Sequence, residues 1–302
     1  METSKLQPHS MQRGRKRQLP GLWILAGLAM LNIPADSRES PASSPGKKAV
    51  TLEERIAQEN LTGEQRRTLD LELTELIRRD PENAALRIAR GEFLWRAGRR
   101  EEARIQWEIA LKREPRNARA LNHLAGSWLA SGEVRRAVGY YRRACQEAPE
   151  NADYHFALAN AAFLFRHELV DPSAPSAEAI LSEALAHFAA ASRLAPTSEE
   201  YARAHAETFY SQAKPDWQAA LKAWEHFLKI SRTPDFARVN LARVHLKLGQ
   251  TAAAREQLEH VRGEAFGRLK ANLGAQIAAR EARSAGVPGP DSSPGKIPQT
   301  DH

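Results

Sequence analysis

The chain has 302 residues, 42% hydrophobic and 7% aromatic, enough apolar side chain to bury a sizeable core and too mixed with charge for a membrane-embedded bundle. Its formal net charge is +7, and much of that excess sits at the front, where residues 1–35 hold Lys5, Arg13, Arg15, Lys16 and Arg17 against Glu2. Farther on, basic and acidic residues interleave, as in Arg78-Arg79-Asp80 and Arg99-Arg100-Glu101-Glu102, the pattern of a solvated helix face and an argument against nucleic acid as a partner.

The basic front end runs into the apolar stretch Gly21–Leu31, the order of a secretory signal, and the stretch is short for a membrane span. Residues 1–35 are therefore expected to be a signal peptide cut after Ala35, with an uncleaved N-terminal anchor as the competing reading. Both export the rest of the chain to the periplasm or the extracellular space, and the membrane is touched only through this segment. No cysteine follows the apolar run to carry a lipid, and the single cysteine, Cys145, forms no internal disulfide, so the exported chain must be stabilised by packing. Residues 36–50, rich in Ser, Pro and charge, have too little apolar surface to offset ordering entropy and read as a linker.

Residues 51–283 repeat. Pro81, Pro115 and Pro149 are spaced by 34 residues, and each follows one apolar helical stripe: Leu69, Leu73 and Leu76; Ala103, Trp107 and Ala110; Ala137, Tyr141 and Ala144. The stripe returns as Ala184, Phe188 and Ala191 before Pro196, as Ala220, Trp224 and Phe227, and as Ala254, Leu258 and Val261. A preceding helix is legible in Leu121, Leu124, Ala125 and Trp128, in Leu158, Ala159 and Ala162, and in Leu241 and Ala242, all spaced for one face. Gly98, Gly132 and Gly249 mark the turns. A final helix at 264–282 carries Phe266, Leu269, Leu273 and Ile277 on one side and suits a cap. Two insertions break the period: 165–178, read as a tolerated surface loop with a partner contact built by Leu169 and Val170 as the competing reading, and the shorter Gln212–Asp216 turn. Residues 284–302 form a Pro- and Gly-rich tail.

This pattern resembles the tetratricopeptide repeat, best in copies 84–117 and 118–151, while Leu69 stands where a small residue is usual and copy 199–234 fits loosely in its first helix. The resemblance implies an all-α, right-handed α-solenoid of about six helix-turn-helix repeats with a C-terminal capping helix, because neither helix of a pair can bury its apolar face alone.

Motifs for chemistry are missing from the sequence. His-Glu-x-x-His, histidines at i and i+4, Gly-x-Ser-x-Gly, a phosphate loop and Cys-x-x-Cys are not found, so no metal, cofactor or catalytic residue is expected. The resemblance places a protein or peptide partner in a concave groove made by the first helices. Carrying over the lining positions gives Ile88, Glu92, Trp95 and Arg96; Asn122, His123, Gly126 and Leu129; Phe156, Asn160 and Phe163; Arg203, Glu207 and Tyr210; and Val239, Asn240 and Arg243. Ile88, Glu92 and Phe156 replace the polar or cationic residues of the family's clamp for chaperone termini, which argues against a chaperone adaptor. The expected function is a cell-envelope scaffold that binds a peptide segment or a protein. A small-ligand or glycan-binding accessory subunit of an enzyme complex is the reading from another class, which aromatic groove residues would also permit.

Overall fold

The computed structural model describes residues 51–170 and 175–285. The signal segment 1–35, the linker 36–50, Asp171–Ala174 of the first insertion and all but the start of the tail lie outside the described residues. Among the described residues the structure is helical, without strands.

A short helix α1 (Leu52–Ala57) and α2 (Gly63–Arg79) lead into five pairs: α3 (Ala84–Arg96) with α4 (Arg100–Arg113), α5 (Ala118–Ala130) with α6 (Val134–Glu147), α7 (Ala152–Leu164) with α9 (Ala177–Leu194), α10 (Glu199–Thr208) with α11 (Trp217–Ile230), and α12 (Pro234–Lys247) with α13 (Thr251–Glu259). The one-turn helix α8 (Arg166–Leu169) lies in the first insertion, and α14 (Gly267–Ser284) closes the array. Each helix packs mainly on its chain neighbours, and α7 reaches past the insertion to α9, so the architecture is a one-dimensional stack of helix pairs.

The turns follow from local chemistry at the repeat period. Asn83, Asn117 and Asn151 are N-caps of α3, α5 and α7, and their side-chain oxygens accept from the amides of Leu86, Ala120 and Tyr154 at 3.0–3.1 Å, satisfying donors that a helix start leaves unpaired. Gly98, Gly132 and Gly249 all have φ near +80°, a conformation that costs a side chain more than it costs glycine. The amides that follow, of Arg99, Glu133 and Gln250, donate back to Leu94, Trp128 and His245 at 2.9–3.0 Å.

The stripe residues form the core. Trp107, Tyr141, Phe188 and Trp224 are fully buried beside the small residues Ala103, Ala137, Ala184 and Ala220, which let the helices approach. In the opening copy Ile77 is buried and Leu76 only partly so, so the stripe there rotates by one position. The loose copy also has a visible cause: α10 is only ten residues long and ends in a 3-10 turn, Phe209–Ser211, before Asp216 caps α11. Leu273 and Ile277 of α14 bury against Val239, Ala242 and Leu258. Leu169, a partner contact only in the competing reading of the insertion, packs on the Val138, Tyr141 and Leu158 cluster, while Val170 stays exposed.

Candidate binding groove on the first helices

Polar side chains tie first helices to one another, α3 to α5, α7 to α10 and the α10 segment to α12. Arg119 of α5 holds Glu92 of α3 in a two-pronged pair, with Nε and Nη2 donating to its two carboxylate oxygens at 2.8 and 2.9 Å, and reaches Glu53 of α1 with Nη1 at 2.6 Å. His123 Nε2 lies 2.5 Å from Glu92 Oε1; a carboxylate can only accept, so this nitrogen carries the proton. Burial, the largest influence on Glu92, opposes its charge, but the His123 hydrogen bond and the charges of His123 and Arg119 outweigh it and hold the carboxyl below its ordinary range. Farther along, the Tyr201 hydroxyl donates to Asp153, Phe156 lies against the Tyr201 ring at 4.4 Å, the Arg203 guanidinium sits 4.6 Å over Phe236 and pairs with Glu207 at 2.9 Å, and Tyr210 donates to the Asn240 carbonyl at 3.3 Å.

Three residues expected in the lining belong to the core instead. Ile88 is 3%, His123 1% and Phe163 8% exposed. Ile88 packs with Leu73 and Leu94, and its carbonyl accepts from Trp107 Nε1 at 3.3 Å. His123 stacks on the Trp107 ring with centroids 5.1 Å apart, and Phe163 meets Phe188 edge-on. Gly126, Val239 and Asn240 are buried as well. The Asn240 amide is satisfied at home, donating to the Phe236 carbonyl at 2.9 Å while its oxygen accepts from Arg243. The reason is shared: adjacent pairs close over residues of the first helices that a lone pair would leave open.

The remaining positions keep accessible surface. Trp95 is half-buried, tilted on Trp107 at 5.8 Å, with Arg100 5.4 Å over its face. Arg96 is exposed. Asn122, Leu129, Phe156, Asn160, Arg203, Glu207 and Arg243 are partly exposed, and Tyr210 is 38% exposed over Trp217 and Trp224. The Asn122 side-chain oxygen is itself buried and has no hydrogen-bond partner among the described residues. A face carrying aromatic edges beside partly exposed carboxamide residues such as Asn160 can accept apolar side chains and backbone hydrogen bonds together.

Sequence reasoning missed Arg119, Glu53 and the Asp153–Tyr201 pair. The signal was present, because Arg119 and Asp153 are one repeat period apart, each next to the first residue of its helix. It also missed Cys145, His155 and His187, which three different helices bring together with ligand atoms within 4.8 Å of one another.

Residues 72–108 and 94–152 match the tetratricopeptide repeat family model. Among solved structures the chain is similar to YrrB, described as a TPR protein with an unusual peptide-binding site, at 15% identity and TM-score 0.50, over 70% of this chain and 97% of that one. It is also similar to PilF of Pseudomonas aeruginosa, at 16% identity and TM-score 0.48 over 73% and 90% of the two chains, and to TTC0263, a thermophilic TPR protein of Thermus thermophilus, at 21% identity and TM-score 0.39 over 66% and 99%. No curated protein sequence matches the chain. Stacked helix pairs define a helical-repeat solenoid. Residues 72–152 are tetratricopeptide repeats, and the array of helix pairs has the fold of tetratricopeptide repeat proteins.

Proposed function

We propose that the protein is an exported scaffold that holds a peptide segment or a partner protein along the face of its first helices. The observation that carries this is the run of accessible groups along the first helices and the 3-10 turn that follows α10, Trp95, Asn122, Phe156, Asn160 and Tyr210, in which aromatic edges alternate with carboxamide residues. Extended or amphipathic peptides use such pairings, apolar anchors seating on aromatic faces while the carboxamides take backbone hydrogen bonds. The role is binding without catalysis. In keeping with this, burial, reinforced by the charge of Glu183, pushes the only thiol, Cys145, up to about 12, which disfavours the thiolate a nucleophile needs.

A photo-crosslinking amino acid placed at Tyr210, compared with one at the exposed Ile105 on the second helix α4, tests the site in the native cell. Discrete adducts at 210 and none at 105 support the reading; adducts at 105 alone overturn it. Export is tested by N-terminal sequencing and fractionation. A chain beginning near Asp36 and soluble outside the inner membrane is the expected result, and Met1 retained in a membrane pellet establishes the anchored form.

A further inference from the structure

Cys145 on α6, His155 on α7 and His187 on α9 converge where one repeat meets the next. Their positions recur elsewhere in the repeat, with other residues in them. Arg87 and Gln106, the counterparts of the two histidines earlier in the array, are hydrogen-bonded at 3.2 Å across α3 and α4. Arg87 also donates to the Pro81 carbonyl, as His155 does to that of Pro149. The scaffold therefore pairs these two side-chain positions more than once, and at this copy it pairs two imidazoles there and adds a thiol.

The hydrogen bonds orient the histidines. His155 Nε2 lies 3.0 Å from the Pro149 carbonyl oxygen, which can only accept, so His155 carries its proton on Nε2. Its Nδ1 lone pair is left facing His187 Nδ1 at 2.7 Å. A ring nitrogen directed at a cluster while its opposite N–H is anchored on a backbone carbonyl is the arrangement that holds metal-binding histidines in place. Glu183 lies one helical turn before His187, held by Arg142 through two hydrogen bonds at 2.7 and 2.8 Å, and its charge acts on both Cys145 and His187.

We propose that Cys145, His155 and His187 form a binding site for a thiolate- and imidazole-seeking transition metal, Zn2+ in the first instance. One sulfur and two nitrogens exclude Ca2+ and Mg2+, which require oxygen ligands. Zinc bonds of about 2.3 Å to sulfur and about 2.0 Å to nitrogen put the donor atoms roughly 3.3–3.6 Å apart. The two nitrogens, at 2.7 Å, must part slightly, and the donors at the wider end of the 4.8 Å span must close, movements within reach of a turn of the His187 ring and of Cys145 about its Cα–Cβ bond. Binding releases the thiol proton to solvent, and the proton shared between the rings moves to His187 Nε2, leaving both Nδ1 lone pairs for the metal. The fourth position is open to water or to Glu183.

Titration of the full chain with Co2+, the spectroscopic stand-in for Zn2+, tests the site. The expected result is one tight equivalent that develops a thiolate-to-cobalt charge-transfer band, is displaced by Zn2+, and is accompanied by a higher melting temperature with Zn2+. Cys145→Ser is expected to abolish the band, and His155→Gln or His187→Gln to weaken binding at least about tenfold, while the exposed His260→Gln leaves it unchanged. Circular dichroism confirms that each variant is folded, and His155→Gln, altering a partly exposed side chain, serves if the buried Cys145 variant is not. A wild-type chain that binds Co2+ without the thiolate band or not at all, or folded variants that bind as tightly as wild type, would overturn the proposal.

Discussion

Gly91 sits in the middle of α3 against the indole of Trp107. A methyl group built there would lie 2.2 Å from Nε1, 2.6 Å from Cδ1 and 2.7 Å from Cε2 of that ring, against ordinary carbon contacts of about 3.5–4.0 Å. Trp107 is completely buried and hemmed in by Trp95 and by the stacked His123 ring, so the indole must move by roughly 1 Å through packed neighbours. It also loses its hydrogen bond to the Ile88 carbonyl. Overpacking of this kind costs about 1–3 kcal/mol, and a lost buried hydrogen bond about 1 kcal/mol. The better helix propensity of alanine returns only about 1 kcal/mol. Gly91→Ala is therefore expected to destabilise by about 2 kcal/mol, which for a chain of this size lowers Tm by about 4–8 °C. Gly139→Ala, exposed on α6 with nothing near the added methyl, is the control and should gain about 0.5–1 kcal/mol. Thermal and urea unfolding followed by circular dichroism decide the matter. In the double variant Gly91→Ala, Trp107→Phe the smaller ring makes room, so the combined loss should be less than the sum of the two single losses. A Gly91→Ala protein as stable as wild type, or strictly additive losses, would refute the contact between these helices.

Other perturbations read other parts of the fold. Ala137 is fully buried on α6, and Ala137→Leu should cost about 1–3 kcal/mol by overpacking; an unchanged melting curve would contradict the stacking of α6. Phe163→Ala should melt early, by about 3–5 kcal/mol, while Tyr210→Ala, which gives up one hydrogen bond and two ring contacts, should cost less, about 1–2 kcal/mol, and weaken partner capture at least about tenfold, as loss of an aromatic anchor does. Burial, with help from the charge of His226, pushes His205 down to about 4. Its unfolded form binds a proton near pH 6.5 and its folded form does not until about pH 4, so this residue's contribution is fully present above pH 6.5 and is lost as the pH falls through that window, by up to about 3 kcal/mol. His205→Phe should flatten the stability–pH curve between those values, and an unchanged slope would count against the burial. Glu92 acts at lower pH: held ionised by His123 and Arg119, it stabilises above the ordinary carboxylate range and stops doing so as the pH falls through its lowered folded value. Acid unfolding of Glu92→Gln should be correspondingly less steep.

Much of the fold was legible because helix pairs that bury one another must place small and large apolar residues at fixed offsets, and offsets survive in a sequence. The stripes from Ala103–Trp107–Ala110 to Ala254–Leu258–Val261 are buried where the 34-residue period put them, and the turn glycines have the positive φ their spacing suggested. The candidate site was legible only as a row of positions. Whether Ile88, His123 and Phe163 face a partner or the core depends on how closely the next helix pair approaches, and that is set by packing between residues far apart in the chain. The same holds for Cys145, His155 and His187. Separated by 10 and 32 residues, they match no local ligand spacing, and they meet because the repeat stacks one pair on the next while α7 spans the insertion to reach α9. Periodicity, a property of one helix at a time, is written in the sequence; the pairing of a thiol with two imidazoles, or of Glu92 with Arg119, is decided by the tertiary structure, because only stacking brings those side chains within bonding distance.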